Sequence, residues 1–305
     1  MKLISIIIPT YEREEILEET LNSILDQNYD EWEAIIVDDN KDSYQESVKD
    51  IVKAFDEKSE NSFRYVLNTD GQGPASARNL GISEAEGDYV AFLDDDDLWK
   101  PSKLEKQIKS LEDYGFEASH TSRQMDTSSD HPEHVVEAVD VTDIGQVLSG
   151  NPIATSSVLV EKSYLEEVDD FDEERDGGED WHLWAKLADH GCRFKAVKEP
   201  LTVINMEIGS FSSKSETSTP GKDKLTEEFR DELESDNRIA SQYYLSRGKE
   251  HLKFKNFDKS EEMLRKALKH DKANHQAYIF LLSGKIERTT GLNMVDPLVK
   301  IKHMF

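Results

Sequence analysis

The segment with the clearest capacity for chemistry is a run of four consecutive carboxylates, Asp94 to Asp97, directly after an apolar stretch. The stretch of residues 89–93 is long enough to form a buried strand, which places the acids together at its carboxyl end. Four like charges repel one another unless a hard divalent cation lies among them, because Mg²⁺ and Mn²⁺ take oxygen ligands and share them with substrate phosphates. The run therefore predicts a metal and phosphate site, and the alternative is a solvated acidic turn.

The flanking segments predict that this strand belongs to an α/β sheet. An apolar run over residues 3–8 precedes residues 14–25, whose apolar positions have the spacing of a helix with one buried face. Residues 32–37 read as a second strand that ends in two aspartates, and residues 63–67 read as a third. Strands that alternate with helices are typical of parallel βαβ units and of a doubly wound sheet.

A glycine-rich segment lies between the third strand and the acidic run. Residues 68–81 begin with glycines, continue with small residues and carry Arg78 on the first turns of a predicted helix. The N-terminus of a helix can bind phosphate oxygens, and an arginine adds a charge-assisted contact to them. This segment therefore favours a phosphate ligand.

Taken in order, these motifs resemble those of the family-2 glycosyltransferases with the GT-A fold. The resemblance rests on Ile6-Ile7-Ile8-Pro9-Thr10-Tyr11, Ile36-Val37-Asp38-Asp39, Ala77-Arg78-Asn79-Leu80-Gly81, Gly87-Asp88-Tyr89-Val90-Ala91-Phe92-Leu93-Asp94-Asp95-Asp96-Asp97 and Gly178-Glu179-Asp180-Trp181. It covers residues 1–215 and implies a Rossmann-like α/β domain that binds a nucleotide-diphosphate sugar, with UDP as the first expectation. The chain departs from the family at Asn40-Lys41, where a pair of small residues is usual.

The resemblance also implies a role for each matching residue. The implied nucleotide-sugar-binding residues are Pro9, Thr10, Tyr11, Glu12, Asp39, Arg78, Asp94 and Asp95. Asp39 would accept a hydrogen bond from a uracil-like N–H, which suits a carboxylate because it is an acceptor only. Asp96 would bind Mg²⁺ or Mn²⁺ directly, and Asp94 would lie near the ribose or the water shell of the metal. Asp95 and Asp97 remain alternatives as ligands.

Asp180 occupies the position of the catalytic base in this resemblance. It would take the proton from an acceptor hydroxyl as that oxygen attacks the anomeric carbon, while the metal stabilises the departing diphosphate. The expected activity is an inverting, metal-dependent hexosyl transfer, in a pathway of glycan, lipid-linked oligosaccharide or protein glycosylation. The alternative for Asp180 is an exposed acid at the start of a helix.

Composition limits the remaining possibilities. The chain has 37 Lys and Arg against 64 Asp and Glu, a net charge of −27, which argues against a nucleic-acid partner. Its one cysteine excludes an internal disulfide. Neither a membrane-spanning stretch nor a signal peptide is recognisable, so we expect a cytoplasmic location, with peripheral contact at a membrane as an extension of it.

The charge changes along the chain at a predicted domain boundary. Residues 1–215 contain 20 Lys and Arg against 49 Asp and Glu, whereas residues 216–305 contain 17 against 15. The polar residues 209–223 between them read as a mobile loop or a linker. We therefore expect a GT-A domain over residues 1–215 and a small all-α domain over residues 216–305.

The second domain resembles a tetratricopeptide unit at Tyr244, Gly248, Phe257, Leu264 and Ala267, with Gly248 where two helices approach closely. One such unit must pack on neighbouring helices to bury both of its faces. Residues 247–302 carry 13 Lys and Arg against 7 Asp and Glu. This excess favours a solvated face or, as the sharper hypothesis, contact with an anionic membrane or a protein partner.

Two other classes of protein fit part of this pattern. A nucleotidyltransferase also places an aspartate-rich metal site on an α/β sheet, but it would need a glycine-rich motif near the first strand that this chain lacks. An inactive scaffold that works through its helical domain would not need Asp39, Arg78, Asp96 and Asp180 together. Within the remaining sequence, His182 is expected to be a partly exposed helix residue.

Overall fold

The computed structural model describes residues 2–69, 73–126, 134–175, 177–205 and 219–291. The chain forms two compact units, which we call the sheet unit and the helical unit. The sheet unit comprises Met1–Asp143, Pro152–Arg175 and Glu179–Lys214, and the helical unit comprises Ile144–Asn151, Asp176–Gly178 and Ser215–Phe305. The predicted loop of residues 209–223 lies outside the described residues as far as residue 218, as do glycine-rich residues 70–72.

The described part of the sheet unit contains one sheet of nine strands. They are β1 Ile4–Thr10, β2 Trp32–Asp38, β3 Ser62–Leu67, β4 Tyr89–Phe92, β5 Leu98–Trp99, β6 Ala118–Asp126, β7 His134–Val136, β8 Val158–Glu161 and β9 Phe194–Asn205. Their order is β3-β2-β1-β4-β8-β6-β9-β5, with β7 beside β6. Strands β1 to β4 run parallel, and β8 runs antiparallel to both β4 and β6.

The sequence explains the parallel half of the sheet directly. β1 and β2 are almost continuously apolar and are buried along nearly their whole length, as is typical of parallel strands covered on both faces. The predicted βαβ pattern is confirmed there. The other half is mixed, since β6 pairs parallel with β9 and antiparallel with β7 and β8, which the sequence pattern did not predict.

Helices complete both units. The sheet unit contains α1 Glu14–Leu25, α2 Asp42–Asp56, α3 Pro74–Glu84, α4 Lys103–Tyr114, α6 Lys162–Glu167 and α7 Glu179–Asp189, and the helical unit contains α5 Ile144–Leu148, α8 Thr219–Glu228, α9 Arg230–Ser235, α10 Asn237–Lys253, α11 Phe257–His270 and α12 His275–Thr290. Residues of α1, α2 and α4 share one apolar core with β1 and β2. Gly81 lets α3 lie directly on β1, because a Cβ there would overlap the side chain of Ile7.

In the helical unit, α10 and α11 form a closely packed hairpin. A Cβ on Gly248 would lie 2.6 Å from Leu264 Cγ, so Gly248 is the predicted point of close approach between two helices. The Ser260 hydroxyl donates to the Gly248 carbonyl at 2.8 Å. The resemblance to a tetratricopeptide unit stays a prediction. Among the described residues, no helix combines the length and apolar character that a membrane span requires.

Candidate active site

The four consecutive aspartates form a tight turn between β4 and β5, at the carboxyl ends of the parallel strands. The Asp97 N–H donates to the Asp94 carbonyl at 3.1 Å and closes the turn. From α1, the Thr20 hydroxyl donates to the carbonyls of Asp95 and Asp97 at 2.9 and 3.1 Å. We call residues 94–97 the acidic turn.

Asp95 and Asp97 are the buried members of the acidic turn, with 5% and 4% of their surface exposed. The Asp95 carboxylate accepts from the Tyr11 N–H at 3.3 Å, and Asp97 accepts from the Ser156 hydroxyl at 2.5 Å and from the Asn205 N–H at 3.0 Å. Burial raises the pKa of Asp95 to about 6 and raises the pKa of Asp97 well above 3.8. These two side chains hold the turn in place.

Asp94 and Asp96 are the more accessible members, with side-chain exposures of 37% and 15%. Each pairs with an arginine from a different segment, since Arg78 lies within α3 and Arg13 immediately precedes α1. Arg78 Nη2 donates to Asp94 Oδ1 at 2.7 Å, and Arg13 Nη1 donates to Asp96 Oδ2. The turn therefore presents alternate carboxylates, at the first and third positions, on its accessible side.

This donor set can hold a divalent cation, and a phosphate ligand that shares the cation would strengthen its binding. Mg²⁺ is usually held by one or two carboxylates together with substrate phosphates and water, and Asp94 and Asp96 can supply those carboxylates. Across the described ranges, no group of three or more His, Cys, Asp or Glu side chains forms a metal site by itself. A cation at this turn would therefore bind weakly by itself and more tightly with oxygens from a bound phosphate.

The ends of β1 and β2 form a second part of the site. The Asp39 N–H donates to the Thr10 carbonyl at 3.0 Å, and the neighbouring Tyr11 is 47% exposed. The Asp39 carboxylate accepts from Asn68 Nδ2 at 2.9 Å and from the Gly73 N–H at 2.6 Å. Desolvation raises the pKa of Asp39 despite these hydrogen bonds. An exposed aromatic ring thus lies beside a carboxylate.

The chain turns sharply after β1. Pro9 is paired with Val37 within the sheet, whereas Glu12 has a left-handed backbone with a φ of 53°. The Glu12 N–H donates to Asn40 Oδ1 at 2.5 Å, and the Asn40 N–H donates to Asp38 Oδ1 at 2.9 Å. Asn40, which departs from the family pattern, therefore fixes this corner.

Arg78 links the acidic turn to the N-terminus of α7. Its guanidinium is buried, lies 5.5 Å from the Phe171 ring, and pairs with Asp94 at 2.7 Å and Glu179 at 3.6 Å. Within the described ranges, Arg78 Nε and Nη1 make no hydrogen bond. Burial alone would lower the pKa of Arg78, but the charges of Asp94, Glu179 and Asp180 outweigh it and raise that pKa. The buried donors suit an anionic ligand at this point.

Asp180 is the second residue of α7, and two left-handed glycines precede the helix. Gly177 and Gly178 have φ values of 82° and 71°, which glycine adopts without strain. The Asp180 carboxylate accepts a hydrogen bond from the Trp181 N–H at 2.7 Å. Its charge also favours the protonated form of Arg123, whereas burial lowers the pKa of that arginine. The helix start therefore places Asp180 in electrostatic contact with Arg78 and Arg123.

The structure brings Arg78, Asp94 and Asp180 into one region and places Asp39 at the neighbouring strand ends. The roles of these residues stay predictions. Arg13 and Ser156 were missed by sequence reasoning, and so was Glu179 as a partner of Arg78. Arg13 could have been suspected because it follows the first motif in a loop at the strand ends, whereas nothing in the sequence marks Ser156.

The expectation for His182 was wrong. Its side chain is buried within α7 and only 8% exposed, because Trp181, Leu183 and Trp184 beside it are all buried. Burial, with smaller effects from Arg175 and Lys186, lowers the pKa of His182 to about 3. The helix is therefore enclosed on more of its surface than its periodicity indicated.

Comparison with known sequences agrees with this architecture. Residues 5–153 match the family described as glycosyl transferase family 2. A putative teichuronic acid biosynthesis glycosyltransferase, TuaG of Bacillus subtilis, is 31% identical over 167 residues, which are 54% of this chain and 65% of that protein. An uncharacterised glycosyltransferase of Rickettsia bellii is 33% identical over 187 residues, 61% of this chain but 26% of its own length. The chain thus spans from about a quarter to about two thirds of these relatives.

Two solved structures have a similar fold. S. aureus TarS 1-349 in complex with UDP-GlcNAc superposes with a TM-score of 0.62 at 17% identity, over 95% of this chain and 92% of that one. The mannosyltransferase PcManGT from Pyrobaculum calidifontis, in complex with GDP-Man and Mn²⁺, gives a TM-score of 0.55 at 17% identity, over 99% and 79% of the two chains. At this level of identity the likeness supports the fold alone.

The fold and the comparisons together indicate a GT-A domain that is followed in the sequence by helices. The sequence match to glycosyl transferase family 2 lies within the N-terminal half of the chain.

Proposed function

We propose that the chain transfers a sugar from a nucleotide-diphosphate sugar to an acceptor hydroxyl, with inversion at the anomeric carbon. The observation that supports this most directly is the position of Arg78 between Asp94, at 2.7 Å, and Glu179, at 3.6 Å. This pairing connects the acidic turn with the helix start that carries Asp180. A phosphate-binding group and a candidate base thereby share one region.

In this mechanism, Asp180 accepts the proton of the acceptor hydroxyl as its oxygen attacks the anomeric carbon. The bond from that carbon to the diphosphate breaks in the same displacement, so inversion follows without a covalent intermediate. Arg78 stabilises negative charge on the departing diphosphate. Mg²⁺ or Mn²⁺, when held by Asp96 and Asp94, would supply Lewis-acid stabilisation of the same oxygens.

We propose a UDP-sugar as the donor and a glycan or lipid-linked acceptor on the cytoplasmic side of a membrane. Tyr11 and Asp39 would line the nucleobase pocket, with Pro9, Thr10 and Glu12 shaping the strand end beneath it. Support comes from a relative that is 35% identical over 109 residues, 36% of this chain and 41% of that protein. It is the E. coli enzyme WfgD, named a UDP-Glc:alpha-D-GlcNAc-diphosphoundecaprenol beta-1,3-glucosyltransferase. Contact of the C-terminal helices with a membrane stays a prediction that sedimentation with anionic vesicles at low salt would check.

The test compares turnover by the wild type, Asp180→Asn and Asp189→Asn. Asp189 is the last residue of the same helix and is exposed, so it is a matched control. Because Asp180→Asn removes the proton acceptor but retains its size, we expect kcat to fall about 100-fold or more while KM for the donor changes little. Asp189→Asn should retain the wild-type rate.

The products of the assay separate the competing functions. A glycosyltransferase with Mn²⁺ releases a nucleoside diphosphate from the donor, a nucleotidyltransferase transfers a nucleoside monophosphate, and an inactive scaffold does neither. Full activity of Asp180→Asn with an alcohol acceptor would reassign that residue to a structural role. Full activity of the wild type in excess chelator would remove the metal from the proposal.

A further inference from the structure

Arg13 occupies the accessible side of the acidic turn. It is the residue immediately before α1, and its side chain is 31% exposed. A single nitrogen, Nη1, donates to Asp95 Oδ1 at 3.1 Å and also to Asp96 Oδ2. One guanidinium therefore bridges the two central carboxylates of the turn.

The backbone determines the location of this arginine. Glu12, directly before it, has a left-handed conformation with a φ of 53°, and its N–H donates to the buried Asn40 side chain at 2.5 Å. Asn40 is 4% exposed and is itself tied to Asp38 at 2.9 Å. Because this corner is fixed, the freedom that Arg13 retains lies mainly in its side-chain torsions.

The two carboxylates that Arg13 contacts are not equivalent. Asp95 is buried and also accepts from the Tyr11 N–H, so it is a permanent anchor. The Asp96 carboxylate is held by Arg13 and by its own backbone N–H, and its side chain is 15% exposed. A divalent cation that binds Asp96 would share that carboxylate with the guanidinium, and the two positive charges would repel each other at that distance.

We propose that Arg13 is a built-in counter-ion that competes with the divalent cation for Asp96 and remains tethered to Asp95 when the cation displaces it. This inference rests on the proposed metal-dependent function. The ion pair offsets part of the negative charge of the acidic turn without a metal and weakens the binding of a cation that arrives alone. A donor diphosphate, which adds negative charge, shifts the competition in favour of the cation by linkage.

The experiment is a titration of Mn²⁺ in the absence of donor, at low ionic strength, with free Mn²⁺ measured by electron paramagnetic resonance. Arg13→Met removes the charge but keeps most of the side-chain length, and it should bind Mn²⁺ at least about fivefold more tightly than the wild type. Arg13→Gln is a second neutral variant and should behave in the same way. Arg13→Lys retains the charge and should stay close to the wild type.

Arg64→Met is the matched control. The Arg64 side chain is 32% exposed and pairs with two carboxylates, Glu33 and Glu84, within the same unit but away from the acidic turn. Its loss should leave Mn²⁺ affinity unchanged. Equal affinity in the wild type and both neutral variants, or the same gain in Arg13→Lys, would overturn the competition while leaving the proposed function intact. Absence of Mn²⁺ binding in every protein, with a nucleoside diphosphate present as well as without it, would overturn both.

Discussion

The two units each contain a cluster of charged side chains, and the clusters differ in their balance. In the acidic turn, four carboxylates face two cations, Arg13 and Arg78. In the helical unit, two carboxylates, Asp223 and Glu250, pair with two cations, Lys222 and Arg247. His251 also contacts Asp223. We call the second group the helical charge cluster.

The balance of charge is visible in the carboxylate pKa values. At the acidic turn, burial raises the pKa of Asp95, Asp96 and Asp97, and Arg13 only partly offsets this effect for Asp95 and Asp96. In the helical charge cluster, burial of Asp223 acts in the same direction. There, however, the hydrogen bond from His251 and the charge of Arg247 outweigh burial and lower the pKa of Asp223.

The difference distinguishes a binding site from a structural ion pair. Carboxylates with raised pKa values are under-compensated, so an added cation would relieve the repulsion between them. A carboxylate with a lowered pKa already has its partners and gains nothing from a ligand. The imbalance at the acidic turn is therefore consistent with a site that is completed by a cation, whereas the helical charge cluster serves to hold helices together.

The largest effect that would test this contrast is expected from Arg247→Met. The Arg247 side chain is fully buried, and its nitrogens donate to Asp223 at 2.9 and 3.0 Å and to Glu250. Removing it leaves two carboxylates without their buried partner, so we expect the helical unit to lose about 3–5 kcal/mol of stability. Hydrogen exchange of amides in α8 and α10 measures that unit separately from the sheet.

Arg265→Met is the control for that variant. Arg265 lies in the same unit, but its side chain is 61% exposed and pairs with Glu261 one turn away. An exposed pair of this kind contributes at most about 1 kcal/mol. If Arg247→Met costs no more than Arg265→Met, the helical charge cluster does not stabilise the unit and the contrast with the acidic turn fails.

An intermediate effect is expected at the acidic turn from Ser156→Ala. The buried Ser156 hydroxyl donates to Asp97 Oδ2 at 2.5 Å and accepts from the Asp94 N–H at 3.1 Å. Because a hydrogen bond to a buried charge is lost, the sheet unit should lose about 1.5–3 kcal/mol. Urea denaturation followed by tryptophan fluorescence reports on this unit, since all four tryptophans lie between residues 32 and 184.

Ser83→Ala is the control, because it also removes a serine hydroxyl but not one that contacts a buried carboxylate. Ser83 is exposed on α3 and donates only locally, to the Leu80 carbonyl at 2.7 Å. Its replacement should change stability by no more than about 0.5 kcal/mol. A loss in Ser156→Ala as small as this would mean that the buried carboxylates do not need the hydroxyl to hold the turn.

The sequence was sufficient to predict the elements whose patterns are local. β1 and β2 are apolar runs, and the strand before the acidic turn was predicted from its residues alone. By contrast, β6 contains Ser119, His120 and Thr121, which are fully buried although polar. Their partners, such as Thr202 at 2.8 Å from Thr121, come from distant segments, so no local pattern could reveal this strand as part of a core.

Which of the four aspartates are buried and which remain accessible could not be predicted, for a similar reason. The Asp95 carboxylate accepts a hydrogen bond from the Tyr11 N–H, 84 positions away. The Asp97 carboxylate accepts one from the Ser156 hydroxyl, 59 positions away. Adjacent identical residues carry no signal about which of them those distant groups contact. Local sequence therefore predicted the presence of the acidic turn, whereas tertiary contacts decided which carboxylates remain accessible.

The smallest effect concerns the dependence of stability on pH. On acidification, two buried histidines change stability in the opposite direction to the acidic turn. Asp95, with its pKa raised to about 6, gains stability as pH falls, because the folded form binds its proton before the unfolded form does. Burial lowers the pKa of His120 to about 4 and that of His182 to about 3, so the unfolded form binds their protons first and stability falls. The two effects have opposite signs.

The contributions of Asp95 and of each histidine can be compared over one pH interval. Between pH 7.5 and 5.5, Asp95 should contribute a gain of about 1 kcal/mol, whereas each histidine should cost about 1.4 kcal/mol because its unfolded pKa is near 6.5. Asp96 and Asp97, whose pKa values burial also raises, add to the gain from Asp95. Urea denaturation with tryptophan fluorescence in metal-free buffer measures the net change, and a histidine variant isolates the histidine part of it. His182→Leu should lose about 1.4 kcal/mol less than the wild type over the same interval, whatever its absolute stability. A wild type that becomes more stable on acidification would mean that the protonation of the acidic turn dominates the response of the sheet unit to pH.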